Sequence, residues 1–162
     1  MMWRSLAFGV ATGLRSQLPP AVLAWRQARH DLPEDVAGPA RILRRRGVVP
    51  TLALAAVAEL VTDKLARTPS RLEAGSFLGR LSLGATAGAG IAAAFGRSRV
   101  VGGVLGVAGA AVGSYAGARY RAAATERTDL PDTVWAVAED LAAITLALAV
   151  TRGGAGQDRT RR

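Results

Sequence analysis

The sequence predicts an all-α fold, a polytopic transmembrane helical bundle of about five spans. Half of the 162 residues are apolar, and the charged residues concentrate between long runs of Ala, Gly, Val and Leu. Apolar runs that alternate with basic loops are typical of integral membrane proteins. The length suits a single domain, and the sequence has no cysteine, which excludes disulfides and thiolate metal sites.

Five segments approach the roughly 20 helical residues that cross about 30 Å of hydrocarbon. The predicted spans are residues 3–25, 48–65, 74–95, 100–120 and 133–151. They form one transmembrane domain over residues 1–151. Residues 152–162 are polar, basic and glycine-rich, and are predicted to form a flexible tail.

The first span carries tryptophans at both ends and two prolines near its end. Trp3 and Trp25 fit the membrane–water interface, where aromatic side chains are favoured. Pro19 and Pro20 lack N–H donors, so they must kink or break the helix. The segment from Met1 resembles a signal peptide, but Arg15 interrupts its apolar core and no A-x-A cleavage site follows. We therefore expect it to be retained as a span.

The third and fourth spans carry stripes of glycine. Spacings of three and four place these residues along one helical face, and small residues let helices approach closely in lipid. We expect the two spans to pack tightly, within one chain or between chains of a homo-oligomer. A static helix pair and a sliding or pore-lining interface both fit the pattern. The predicted packing residues are Gly84, Gly88, Gly102, Gly106, Gly109, Gly113 and Gly117.

Ionisable residues also lie within or beside the spans. A charge at the centre of a span costs about 2.5–3.5 kcal/mol, and opposite charges at similar depth remove much of that cost. Arg15 is therefore expected to face Glu59 or Asp140 across the protein interior. For Arg15, a purely structural ion pair is the alternative to a functional one. For Arg80, the alternative to a place in the interior is a side chain that extends back to the membrane interface. The predicted polar cavity or ion pathway comprises Arg15, Glu59, Asp63, Arg80, Asp132, Glu139 and Asp140.

The basic residues predict an orientation. With five spans, twelve basic residues share the side of the C-terminus and seven lie on the other side. This difference favours an outside N-terminus and a cytoplasmic C-terminus. The Ala- and Arg-rich composition indicates a bacterial chain, and hence the bacterial plasma (inner) membrane. The run Arg44, Arg45 and Arg46 is either a topology signal or a site for anionic lipid.

Two short patterns indicate an inverted repeat. Gly9-x3-Gly13-x-Arg15 in the first span matches Gly113-x3-Gly117-x-Arg119 in the fourth. If spans one and two are related to spans four and five, the single span between them would place the units upside-down relative to each other. Such repeats occur in many transporters.

Five stretches, taken in order, resemble one known family. They are GLRSQLP at 13–19, ELVTDK at 59–64, TPSR at 68–71, LPD at 130–132 and AED at 138–140. The chain is similar, from about Leu6 to Val150, to an uncharacterised bacterial family of small integral-membrane proteins, domain of unknown function four-one-two-six. The resemblance implies a multi-span membrane protein and carries no established reaction.

The expected function is conduction or coupled transport of an ion, a proton or a small solute, in a homo-oligomer with a buried polar cluster. The alternative is a structural or assembly subunit that docks a larger membrane complex through its charges. No enzyme, cofactor or metal is expected: the single histidine, His30, lies in a basic loop, and no nucleophile–base pair is evident. A carboxylate-only membrane enzyme acting on lipid-linked substrates stays open. A soluble nucleic-acid binder does not account for the apolar runs.

Overall fold

The computed structural model describes residues 2–29, 47–62 and 72–152. It confirms the predicted all-helical bundle. Three helices, Ala74–Ala94, Arg99–Arg127 and Asp132–Thr151, are long and apolar enough to cross a membrane, and Val48–Thr62 is apolar but shorter. The helices are α1 (Trp3–Leu14), α2 (Leu18–Ala28), α3 (Val48–Thr62), α4 (Ala74–Ala94), α5 (Arg99–Arg127) and α6 (Asp132–Thr151).

The first predicted span is two helices. α1 ends at Leu14, and Arg15 has an extended backbone with φ −137° and ψ 111°. Pro19 and Pro20 stand in the first turn of α2, where a missing N–H leaves no helical hydrogen bond unmade and the fixed φ favours the helix. The prolines therefore begin the second helix, and the break falls just before them.

α1 and α2 form a hairpin that enters the bundle and returns. α1 runs antiparallel to α4, because Ser5 Oγ donates to the carbonyl of Gly88 and Arg80 donates to the carbonyl of Gly13. α2 then runs back along α4, so that the Leu23 side chain lies beside Gly90. The tip of the hairpin is residues 15–17, and Trp3 and Trp25 lie at the same end of the bundle.

This hairpin corrects the prediction that residues 3–25 cross from one side to the other. The two helices have 12 and 11 residues, which gives lengths of about 18 and 16 Å, short of the roughly 30 Å of a bilayer core. Among the described residues, α4, α5 and α6 are long and apolar enough to cross, whereas α3, with 15 residues, is shorter.

The two ends of the described chain meet at one end of the bundle. Arg4 Nη1 donates to the carbonyl of Val150 at 2.7 Å and to that of Arg152 at 2.8 Å. We call this the Arg4 end, and the opposite one, where α6 begins, the Asp132 end. Residues 4 and 152 thus lie at the same end of the bundle, whereas the predicted five-span layout places the N- and C-termini on opposite sides.

The inverted repeat is also wrong. A Cβ at Gly109 would overlap the backbone of Leu6, and one at Gly113 would overlap the backbone of Val10. Residue numbers therefore increase in the same direction along α1 and α5, so the two helices are parallel. Two parallel helices cannot be the corresponding members of upside-down units.

Glycine lets α5 pack against two helices at once. A Cβ at Gly106 would overlap the backbone of Gly84, and one at Gly88 would overlap the backbone of Gly102. This is the contact predicted between the third and fourth spans. Farther along α5, Gly109 and Gly113 pack against α1, a contact that the sequence did not predict. Gly117 is buried on the same helix, whereas Gly75 and Gly79 at the start of α4 have nothing within 4 Å of a built Cβ.

Candidate functional site

The break between α1 and α2 leaves backbone polar groups without helical partners in the middle of the bundle. The last carbonyls of α1 and the first N–H groups of α2 cannot bond within their own helices. The first group has partial negative charge and the second has partial positive charge. Charged side chains from three other helices surround these groups. We call Arg15, Glu59, Arg80, Glu139 and Asp140 the ionic cluster.

Glu59, near the end of α3, caps the start of α2. Its Oε1 accepts the backbone N–H of Ser16 at 2.8 Å and the Ser16 hydroxyl at 2.6 Å, and its Oε2 accepts the backbone N–H of Gln17 at 2.8 Å. A carboxylate placed against the positive end of a helix is stabilised by that end. Glu59 therefore acts, from another helix, as the N3 glutamate of a capping box does, because it accepts the N–H of the N-cap residue Gln17.

Arg80 of α4 performs the converse role at the end of α1. Its Nη1 donates to the carbonyl of Gly13 at 3.0 Å and to that of Leu14 at 3.4 Å. Its Nη2 lies 3.5 Å from Oε1 of Glu59. Arg80 is 8% exposed, so it points into the bundle and does not extend back to the interface. Ser114 of α5 donates to the same Gly13 carbonyl at 3.4 Å.

Arg15 is completely buried and turns toward α6. Its Nε donates to Oδ1 of Asp140 in an ion pair, and its Nη2 lies 4.0 Å from Oε2 of Glu139. Nη2 also donates to the carbonyl of Ala136 at 3.5 Å. Of the two partners that the sequence suggested for Arg15, the structure thus brings Asp140 into contact. Glu59 contacts Arg80 and the hairpin tip.

Glu139 and Asp140 are both buried, at 3% and 8% exposure. The sequence argument held that one packing face of α6 cannot easily contain two adjacent carboxylates. The structure accommodates both because the guanidinium of Arg15 is wide enough to meet the two side chains with different nitrogens. A planar group with five donors makes this arrangement possible.

The ionic cluster holds three carboxylates and two guanidinium groups. When all five groups are ionised, their summed charge is −1. Within the described ranges, no group of three or more His, Cys, Asp and Glu side chains is arranged to hold a metal ion. The contacts within the cluster are ion pairs and charge-assisted hydrogen bonds.

Two predicted members lie elsewhere. Asp132 is the first residue of α6, and its side chain is 51% exposed and paired with Arg121 of α5. It is eight residues from Asp140, or about 12 Å along the helix, so its inclusion in the cavity is corrected. Asp63 lies outside the described residues, as does the arginine run at 44–46.

Sequence reasoning missed the backbone of the tip. The N–H groups of Ser16 and Gln17 and the carbonyl of Gly13 are as much part of the site as the charged side chains. A signal was present in the sequence, because two prolines in a first turn expose the preceding N–H groups and a Ser just upstream supplies a hydroxyl.

Comparison with known proteins adds the family. No curated protein and no solved structure matches the chain. One family matches over residues 3–152, which include every described helix and the whole ionic cluster. The chain belongs to that family, whose description is Domain of unknown function (DUF4126).

Proposed function

We propose that this chain is a bacterial inner-membrane protein whose ionic cluster conducts, or couples the transport of, a proton, an ion or a small solute. One observation carries the proposal: five charged side chains from the hairpin tip, α3, α4 and α6 converge in the interior of an apolar bundle. Ionisable groups inside membrane segments are expensive, and their usual reason is function.

The broken helix supports the same proposal. Many transporters bind ions where a discontinuous helix points its two half-helix ends at a site near the middle of the membrane. Here the end of α1 faces Arg80 and the start of α2 faces Glu59. The backbone and the charged side chains thus hold each other in place.

A proton is the species that this chemistry accommodates most directly. Protonation of Glu59 would remove the negative charge that faces both the start of α2 and Arg80. Both contacts weaken together, so one proton loosens α3 from the hairpin tip and from α4 at once. This gives a physical link between proton uptake and movement of the hairpin.

The described charges also suggest an orientation. The Arg4 end has six arginines and no acidic residue among the described positions: Arg4, Arg26, Arg29, Arg97, Arg99 and Arg152. The Asp132 end has three arginines and four acidic residues: Arg119, Arg121, Arg127, Glu73, Glu126, Asp129 and Asp132. Because basic residues are retained on the cytoplasmic side, we propose that the Arg4 end is cytoplasmic.

A structural or assembly subunit is the runner-up function. It requires the charged residues to face a partner protein. Arg15, Glu139 and Asp140 are instead buried within a single chain, which favours the first proposal. A homo-oligomer remains part of the proposal, since so small a bundle has little room for a pathway of its own.

The test is proton and ion flux in proteoliposomes that contain the purified protein. The variants are Glu59→Gln and the double change Glu139→Gln with Asp140→Asn. Asp132→Asn is the matched control because it removes a carboxylate outside the ionic cluster. We expect flux from the wild type and the control, and its loss in the cluster variants with the oligomer intact. Absence of flux from well-folded wild type contradicts the proposal for the ions tested.

A further inference from the structure

A second feature lies at the Arg4 end, away from the ionic cluster. There, the start of α1 and the turn between α4 and α5 enclose a cavity of about 230 Å³. Most of its lining is apolar, and its charged lining residues are two arginines. The lining includes Arg4, Ile91, Phe95, Arg97, Val101 and Leu105.

Arg4 is held rigidly at this cavity. Its Nη1 is bound to two carbonyls at the end of α6, and its guanidinium stacks 4.3 Å from the centre of the Phe95 ring. Its Nε is buried and has no hydrogen-bond partner among the described residues. A buried donor in this state has lost its hydrogen bonds to water, so an acceptor that reaches it gains more than it would at an open surface.

The positive charge around the cavity indicates that its ligand is an anion. Acidic side chains are absent from the cavity lining and from the described part of the Arg4 end. The ligand that complements two guanidinium groups is an anion with several acceptor oxygens, such as a phosphate. The apolar wall beside them complements a hydrocarbon chain.

The position of the cavity indicates where that phosphate comes from. Trp3 and Trp25, at the same end of the bundle, are 55% and 41% exposed, as expected of tryptophans at a membrane–water interface. A cavity at this level has lipid headgroups for neighbours. We propose that it binds an anionic phospholipid, with the headgroup phosphate between Arg4 and Arg97 and the upper acyl chain against Ile91, Val101 and Leu105.

The test measures lipid binding by native mass spectrometry in a neutral detergent. The probes are short-chain phosphatidylglycerol, short-chain phosphatidylcholine and inorganic phosphate. Arg97→Gln removes an exposed cavity arginine, and Arg97→Lys keeps its charge. Arg127→Gln, at the other end of α5, is the matched control. This binding does not depend on transport, so its outcome is separate from that of the flux experiment.

We expect the wild type to bind phosphatidylglycerol more tightly than phosphatidylcholine. Loss of one arginine near the membrane surface should weaken phosphatidylglycerol binding about fivefold. Arg97→Lys and Arg127→Gln should bind as the wild type does. Equal binding of the two lipids, or an equal loss in Arg127→Gln, would overturn the proposal. Inorganic phosphate that binds as tightly as phosphatidylglycerol would overturn it too, because the site would then serve a soluble anion.

Discussion

The backbone N–H of Gln17 donates to the carboxylate of Glu59 at 2.8 Å, although 42 positions separate the two residues in the chain. This hydrogen bond joins the start of α2 to the end of α3. Together with the bonds from Ser16, it makes a side chain on one helix the cap of another. The stability of the hairpin tip is therefore tied to the charge of one carboxylate.

The change Glu59→Gln tests this cap. Glutamine keeps one acceptor oxygen but loses the charge that faces α2 and Arg80. We expect the free energy of unfolding to fall by about 1–2 kcal/mol, as when a helix loses its cap. Thermal or chemical unfolding of the purified protein measures it. Glu73→Gln is the control, since Glu73 is exposed before α4 and its side chain makes no capping bond. Equal losses in the two variants would argue against the cap.

Arg15 and Asp140 should prove strongly coupled. Arg15→Met leaves two buried carboxylates without their guanidinium, and we expect a loss of about 3–5 kcal/mol in stability. Adding Asp140→Asn removes one of those charges, so the double variant should be more stable than Arg15→Met alone. A double-mutant cycle on unfolding free energies measures the coupling. Additive effects would show that the pair contributes no specific interaction.

The glycines of α5 should differ sharply from those at the start of α4. Gly106→Ala inserts a methyl group into the backbone of Gly84, and overpacking of this kind costs about 1–3 kcal/mol. Gly79→Ala meets open space, so we expect no loss, or a gain of up to about 1 kcal/mol from helix propensity. Unfolding of both variants in detergent measures the difference. If Gly106→Ala were as stable as Gly79→Ala, the close backbone contact between α5 and α4 at Gly106 would be contradicted.

Much of the helical layout was predictable because it depends on local composition. α4 and α6 begin and end within one residue of the predicted spans, and α5 continues seven residues beyond its span. The cost of an isolated charge in an apolar bundle also predicts a carboxylate partner for Arg15, but the choice between Glu59 and Asp140 depends on contacts far apart in the sequence.

The hairpin was not predictable in the same way. Pro19 and Pro20 predict a break in the helix. They do not distinguish a kinked helix that continues across the bundle from a hairpin that turns back. The direction after the break is decided by contacts far apart in the sequence, such as Leu23 beside Gly90 and Glu59 on the tip. Likewise, the spacing of Gly9 and Gly13 predicts a close helix–helix contact but does not indicate that α5 is the partner helix.

The hairpin is the central claim, because it places Arg15 at a tip inside the bundle instead of along a crossing helix. The sequence has no cysteine, so single cysteines can be labelled cleanly. We would introduce Met2→Cys, Arg29→Cys and Leu130→Cys separately and treat oriented vesicles with a membrane-impermeant maleimide. The structure predicts that Met2→Cys and Arg29→Cys react from the same side and Leu130→Cys from the other. Labelling of Arg29→Cys from the side of Leu130→Cys would show that the first segment crosses the membrane and would contradict the hairpin.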